Sequence, residues 1–293
     1  MKPITLLSLS IVSLFSFGTV RAGKNSDILF LGSSSTYFHQ MPKQVARLVN
    51  GVGAYGDVRH HWVGESGTWT WKYLNTGYRP KSGLPADFSG TVLDYIRQNN
   101  YRWVSLQIAL GQWSEWERTI PQYAEAAKDA GSTLLLFEQS WSPNTDKALT
   151  GSPLLKIARE NNLTIVPCAS AWEKVYAQFP QWDLQDSFYN TKKGYPTRDS
   201  THPGLVGNYL NQACFITAIT GAHPDAIMTS HIYHHERMAH PKSKPYYPAG
   251  IELMGPAADG LAKFTVERKL ARYLRHVAWE TYNEVNALQN GKK

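Results

Sequence analysis

Residues 27–36 read Asp-Ile-Leu-Phe-Leu-Gly-Ser-Ser-Ser-Thr, an apolar run that stops at Gly32 and gives way to three serines. A short continuous apolar run bounded by glycine, with no polar alternation, predicts a strand buried on both faces. Such strands belong to parallel sheets covered by helices. Helical spacing follows at once, with Val45, Leu48 and Val49 on one face of a segment from Gln40 to Val49. The pattern then recurs. Val58 to Val63, Trp103 to Ile108, Leu134 to Phe137 and Leu163 to Val166 predict four more strands. Helices are predicted near Val92 to Ile96, Pro121 to Ala130, Leu154 to Arg159, Ala171 to Gln178 and Tyr209 to Ile219. Five apolar strands alternating with amphipathic helices imply an α/β fold, a three-layer α/β/α sandwich around a parallel five-stranded sheet.

The remaining segments bound the domain. Lys2 precedes an apolar run (LLSLSIVSLFSFG) and then Val20-Arg21-Ala22, so residues 1–22 are expected to be a signal peptide. That run is too short for a comfortable membrane span, and no later stretch approaches the roughly 18 to 20 apolar residues one needs. An exported, soluble chain is expected, secreted or periplasmic. Residues 23–293 are expected to form one domain, because neither an internal repeat nor a low-complexity linker divides them. A loop rich in proline and histidine is expected over about 221–255, and a helical extension over about 256–293.

A hydrophobic content of 42% with 18% charged residues excludes disorder of the whole chain. The leader holds Lys2 and Arg21 and no acid, so its removal lowers the formal net charge from +7 to about +5. The bases are scattered along the chain (Lys192, Lys193, Lys242, Lys244, Arg268, Lys269, Arg272, Arg275), with no basic stripe interleaved with aromatics. That argues against nucleic acid as a partner; a mildly cationic surface suits anionic surroundings such as polysaccharide. Cys168 ends an apolar run and Cys214 lies in a helical pattern, so a disulfide and two buried thiols are both open readings.

In an open parallel sheet, chemistry gathers at the carboxyl ends of the strands. There stand Gly32 to Thr36, Gly64 to Trp71, Gln107 to Trp113 and Glu138 to Trp141. A serine at a strand-to-helix turn exposes its hydroxyl beside free helix amides, but it needs a base, and serines in such turns also serve as caps. Arg198-Asp-Ser-Thr-His-Pro203 supplies a base: an acid three residues before a histidine can hold the imidazole tautomer while the other ring nitrogen faces out.

Together, ILFLGSSST and DSTHPGLVGNYL resemble the SGNH (GDSL-like) serine hydrolase family over about residues 27 to 220. The resemblance implies a flavodoxin-like sheet, no cofactor, and a triad of Ser34, Asp199 and His202, with Ser33 and Ser35 as weaker nucleophile candidates. It carries the oxyanion-hole glycine onto Gly67 in Glu65-Ser-Gly-Thr68, with Gly64 as alternative. The family's Asn block is missing here. The chain is similar instead to a subgroup with glutamine at the end of the third strand, which implies Gln107 as oxyanion donor and Gln112 as alternative. The activity implied is ester hydrolysis through an acyl-enzyme. Tryptophans at the same edge, Trp69, Trp113 and Trp141 among them, suggest a carbohydrate ester, most simply an acetyl ester, although core packing is the ordinary role of any one Trp. A lipid or thioester hydrolase on the same triad, and a catalytically silent carbohydrate-binding protein, are the alternatives. Glu138 is expected to line the pocket or to end its strand in a polar contact. His231 and His235 would share a helix face with Glu236 or His240 nearby, but no metal-binding motif accompanies them, and a solvated histidine cluster without a metal is expected. Nothing in the sequence bears on oligomeric state.

Overall fold

The computed structural model describes residues 26–109, 112–139, 153–182, 184–185, 187–190, 196–199, 202–234, 251–256 and 262–291. The expected leader, residues 1–22, lies outside them. β1 (Ile28–Gly32) is buried at every position and sits inside a five-stranded sheet. β2 (His60–Gly64) flanks it on one side; β3 (Trp103–Ile108), β4 (Thr133–Glu138) and β5 (Thr164–Val166) follow on the other. All four pairings are parallel, in the order β2-β1-β3-β4-β5. This is the flavodoxin-like order, and its switch point falls between β1 and β3.

Side-chain alternation along each strand divides the core into two layers. Ile28 and Phe30 of β1, with Leu135 and Phe137 of β4, pack against α2 (Met41–Gly51), α6 (Cys168–Gln178), α7 (Leu205–Thr220) and α8 (Arg268–Gln289). Leu29, Leu31, Leu134 and Leu136 face the other way, toward α3 (Val92–Asn99), α4 (Trp113–Asp129) and α5 (Pro153–Glu160). The expected α/β/α sandwich is the fold. α7 is buried nearly all round, enclosed by its neighbours. A side chain at its Gly207 would put Cβ 2.3 Å from Leu184 O, so only glycine allows that approach.

Asp27 leads into β1 and is 1% exposed. Its carboxylate accepts from Arg59 Nη2 at 2.9 Å, from the Arg59 backbone N–H at 3.1 Å and from His61 Nε2 at 2.9 Å. Burial by itself would raise this carboxyl's pKa, but the bonds from Arg59 and His61 outweigh burial and hold it below the usual range. A group depressed in this way stabilises the fold above the ordinary carboxylate range, near pH 4, and loses that contribution as pH falls through its native value. Asp27→Asn should therefore lower stability by about 2 kcal/mol at neutral pH. In urea titrations from pH 7 to 3, the gap from wild type should close only toward the acid end.

Four expectations are corrected. The fourth helix begins at Trp113, not at Pro121, and carries Pro121 in its interior; tertiary packing of Trp116, Ile120 and Tyr123 outweighs one lost backbone bond. The region expected as loop contains β8 (His231–His234) and β9 (Ile251–Pro256), and the tail expected to be helical opens with β10 (Ala262–Val266), which pairs antiparallel with both. Such pairing depends on partners from another stretch of chain, about 30 residues away for β8 and β10, which local periodicity does not report. His231 is thus on a strand and shares no helix face with His235, which, like Glu236 and His240, lies outside the described residues. Finally, a hairpin of β6 (Ser187–Asn190) and β7 (Pro196–Asp199) leads into the histidine turn, where no strand was expected.

Cys168 and Cys214 are buried free thiols. Cys168 Sγ lies 3.9 Å from Asn211 O and Cys214 Sγ 4.0 Å from Pro167 O, so each sulfur meets the backbone beside the other cysteine. Burial pushes the Cys168 thiol well up, which keeps it protonated.

Candidate active site

Ser34 is the first residue of α1 (Ser34–Tyr37), a single helical turn placed directly after β1 at the switch point of the sheet. The first amides of a helix have no intrahelical acceptor, so the Ser34 N–H stands at the amide-rich end of that turn. The Ser34 hydroxyl is half-buried and lies 2.8 Å from His202 Nε2. The His202 imidazole stacks on Phe38, with ring centroids 4.2 Å apart and planes 11° from parallel. The segment that carries Ser34 thus also supports His202. From the other side, Gly204 caps α7 and donates its N–H to Leu184 O at 2.7 Å, anchoring the chain two residues after the histidine.

Under the serine turn lie two glutamines, each 3% exposed. The Ser33 N–H donates to Gln107 Oε1 at 2.8 Å, and the Thr36 hydroxyl donates to the same oxygen. An N–H can only donate, so the Gln107 oxygen is oriented by Ser33 and its Nε2 must face the other way. That nitrogen donates to Ser33 Oγ at 2.9 Å and to Gln139 Oε1. The Gln139 amide is oriented in turn, and its Nε2 donates to Ser35 Oγ at 3.1 Å. Ser33, Ser35 and Thr36 are therefore all tied down while Ser34, between them, faces His202. Gly32 makes room for this: a Cβ there would lie 1.9 Å from Thr36 Oγ1 and 2.6 Å from Gln107 Oε1.

Both Gln107 amide hydrogens are engaged in that network. Gln107, the expected oxyanion donor, fastens the serine turn through these bonds. The alternative, Gln112, is differently placed. It caps α4 in the left-handed region, at φ 53°, and is exposed. The indole N–H of Trp71, a donor only, bonds Gln112 Oε1 at 2.8 Å. Gln112 Nε2 is thereby turned away from Trp71, and among the described residues no acceptor holds it. Trp71 belongs to the 3₁₀ turn Thr70–Leu74, which is fixed across the carboxyl edge of the sheet. Thr70 Oγ1 donates to Gln107 O at 2.7 Å and Tyr73 Oη to Gly32 O at 2.9 Å.

Gly67 occupies the third position of the turn from Glu65 to Thr68, closed by Thr68 N–H to Glu65 O at 3.3 Å. Its φ of +70° favours glycine, and it is exposed with open space where a Cβ would stand. The turn is anchored through Glu65. Lys81 and Tyr78 hold the Glu65 carboxylate and keep it below its usual range, and the Glu65 N–H donates to Tyr73 Oη at 3.0 Å. The Gly64 N–H is already bonded to Ser82 O at 3.1 Å, and a Cβ at Gly64 would lie 1.9 Å from Gly32 O. Gly67→Ala should cost about 1 to 2 kcal/mol through backbone strain alone, readable in a thermal melt.

Asp199 is the last residue of β7, three before His202; its side chain lies outside the described residues, as does all of Trp141. Trp69 and Trp113 are half-buried against the core layer of α3 and α4, and Trp116 is fully buried with its indole N–H on Ala109 O at 2.8 Å. Glu138 is fully buried and takes the polar-contact reading: it accepts from the Ser170 N–H at 2.9 Å, in the first turn of α6. Trp71 and Gln139 fall within the segments singled out after the second and fourth strands, but neither was given its role there; Phe38 is the residue that sequence reasoning missed, and it carried no signal.

Among the described residues, no group of three or more His, Cys, Asp or Glu converges to hold a metal, and no helix is long and apolar enough to cross a membrane. No protein-family model matches the chain, and no curated protein matches its sequence, so the chemistry assigned to this site rests on the residues and their geometry.

Proposed function

We propose that the chain is an exported serine esterase of the SGNH (GDSL-like) kind, acting on a carbohydrate ester, most simply an acetyl ester. The observation that carries this reading is the 2.8 Å approach of His202 Nε2 to Ser34 Oγ at the switch point of the sheet. Two features otherwise read as a cap and a surface histidine meet there in the geometry of a nucleophile and its base.

The reaction runs in two steps. Ser34 Oγ attacks the ester carbonyl carbon while His202 Nε2 takes its proton. The carbonyl oxygen becomes an oxyanion, held by the Ser34 and Gly67 N–H groups and by Gln112 Nε2 in the role first expected of Gln107. The C–O bond to the alcohol breaks, the alcohol leaves with the proton from His202, and an acyl-serine remains. Water repeats the cycle, giving the carboxylic acid and free Ser34. Asp199 is assigned the role of holding the imidazole tautomer and stabilising the imidazolium.

Rapid mixing with p-nitrophenyl acetate, followed by acid quench and peptide mass analysis, tests the reading. Acetyl on the Ser34 peptide supports it; acetyl on another residue, or hydrolysis without any acyl-enzyme, overturns it. The donor assignment has its own test. Gln112→Ala should lower kcat by about 10²- to 10³-fold with an unchanged melting temperature.

A further inference from the structure

Two of the bases that look scattered in the sequence are brought onto one face by the winding of the C-terminal helix. Lys269, Arg272, Tyr273 and His276 of α8 recur at i, i+3, i+4 and i+7 and so share one face. Opposite them stand His223 and Asp225, at the 3₁₀ turn Pro224–Ala226, and the two walls enclose an open groove of about 520 Å³. That volume is within the range of small-ligand sites.

The charges in the groove are not balanced. Its one lining carboxylate, Asp225, is engaged by Arg275 Nε, and Arg275 Nη1 donates to Tyr209 Oη at 2.6 Å. The Arg275 side chain is only 11% exposed, so this pair is a fixed floor. His276 lies 3.1 Å from Glu280, one turn further on. Lys269 and Arg272 are exposed and, among the described residues, form no ion pair within 4.0 Å; at longer range Lys269 acts on Glu267 and Arg272 on Asp225. Both lie in the first two turns of a long helix, where the macrodipole adds positive potential. Tyr273 lines the groove, its half-buried ring in T-shaped contact with Phe179 and Trp182, and Trp279 lies 5.4 Å from His223 between ring centroids.

We propose that this groove binds an anionic glycan, its carboxylate or sulfate groups held by Lys269 and Arg272 and a sugar ring lying against Tyr273. Paired cations beside an aromatic face match a charged sugar. A nucleic-acid duplex would call for a longer track of bases than two. The site is independent of the Ser34 assignment and survives its failure.

Calorimetric titration of the full chain tests it, with oligogalacturonate, sulfated dextran, neutral dextran and duplex DNA as probes. Binding of oligogalacturonate, sulfated dextran or both, with neutral dextran inert, supports the site and tells carboxylate from sulfate. Lys269→Glu/Arg272→Glu should weaken that binding at least about tenfold, and the milder Lys269→Gln/Arg272→Gln about threefold. The control Lys128→Glu/Lys156→Glu, on exposed residues away from the groove, should leave it unchanged. Undiminished binding in both groove variants, equal binding of neutral dextran, tighter binding of DNA, or no binding of either acidic glycan would each overturn the proposal.

Discussion

Ser34→Ala is expected to lower kcat for p-nitrophenyl acetate by about 10⁴- to 10⁶-fold while the protein melts within a degree or two of wild type. The two halves of that result have separate causes. The Ser34 hydroxyl makes its hydrogen bond to a half-buried histidine, so its loss orphans no deeply buried group. The neighbours that hold the turn, Ser33, Ser35 and Thr36, keep their bonds to Gln107 and Gln139. In the proposed mechanism catalysis, by contrast, loses the atom that forms the acyl bond. His202→Ala should cost a similar factor, and the double variant no more than either single one, because nucleophile and base act as a unit. Steady-state kinetics on the three proteins reads this directly. Equal activity in Ser34→Ala and wild type would sink the assignment, and additive losses in the double variant would break the coupling of the pair.

Gln107→Ala should have the largest effect on stability, about 3 to 5 kcal/mol, and should lower kcat as well. Truncation at a position 3% exposed leaves the Ser33 N–H, the Thr36 hydroxyl and the Gln139 carbonyl oxygen without their partner. Each unmet buried group costs about 1 to 3 kcal/mol, offset in part where water enters the space. For a domain of this size the sum corresponds to a fall in Tm of roughly 10 °C. Gln107→Glu should be milder, because a carboxylate still accepts from Ser33 and Thr36, and Gln139 can turn its amide to donate to it. The contrast with Gln112→Ala separates the two glutamines: one variant loses stability and turnover together, the other turnover alone. A Gln107→Ala protein that melts like wild type would refute the fastening role.

Much of this organisation was legible in the chain. The run Ile28 to Gly32 announces a doubly buried strand because burial on both faces removes the need for polar alternation, and the same logic found β3, β4 and β5. Where they were not legible, elements depended on distant partners. β10 pairs with β8 and β9 only after the chain has folded back, and its five residues, Ala-Lys-Phe-Thr-Val, sit in a stretch whose average pattern reads as helix. Pro121 looks like a helix start by local rules, yet lies mid-helix because the face around it is buried.

Ser34 shows the same division. The sequence alone determined that a serine follows the first strand of a parallel sheet and that a histidine with an acid three residues before it precedes a later helix, because apolar period and turn chemistry are local properties. Only the tertiary structure decided that the two meet at 2.8 Å, across 168 residues. It also decides which partners each glutamine amide meets. Composition and spacing leave Gln107 and Gln112 alike; an amide's role depends on which end its neighbours claim. At Gln107 the Ser33 N–H claims the oxygen, while Ser33 Oγ and Gln139 claim the nitrogen. At Gln112 the Trp71 indole claims the oxygen and leaves the nitrogen turned outward. Those donors come from different strands and turns, so no window of sequence contains the answer.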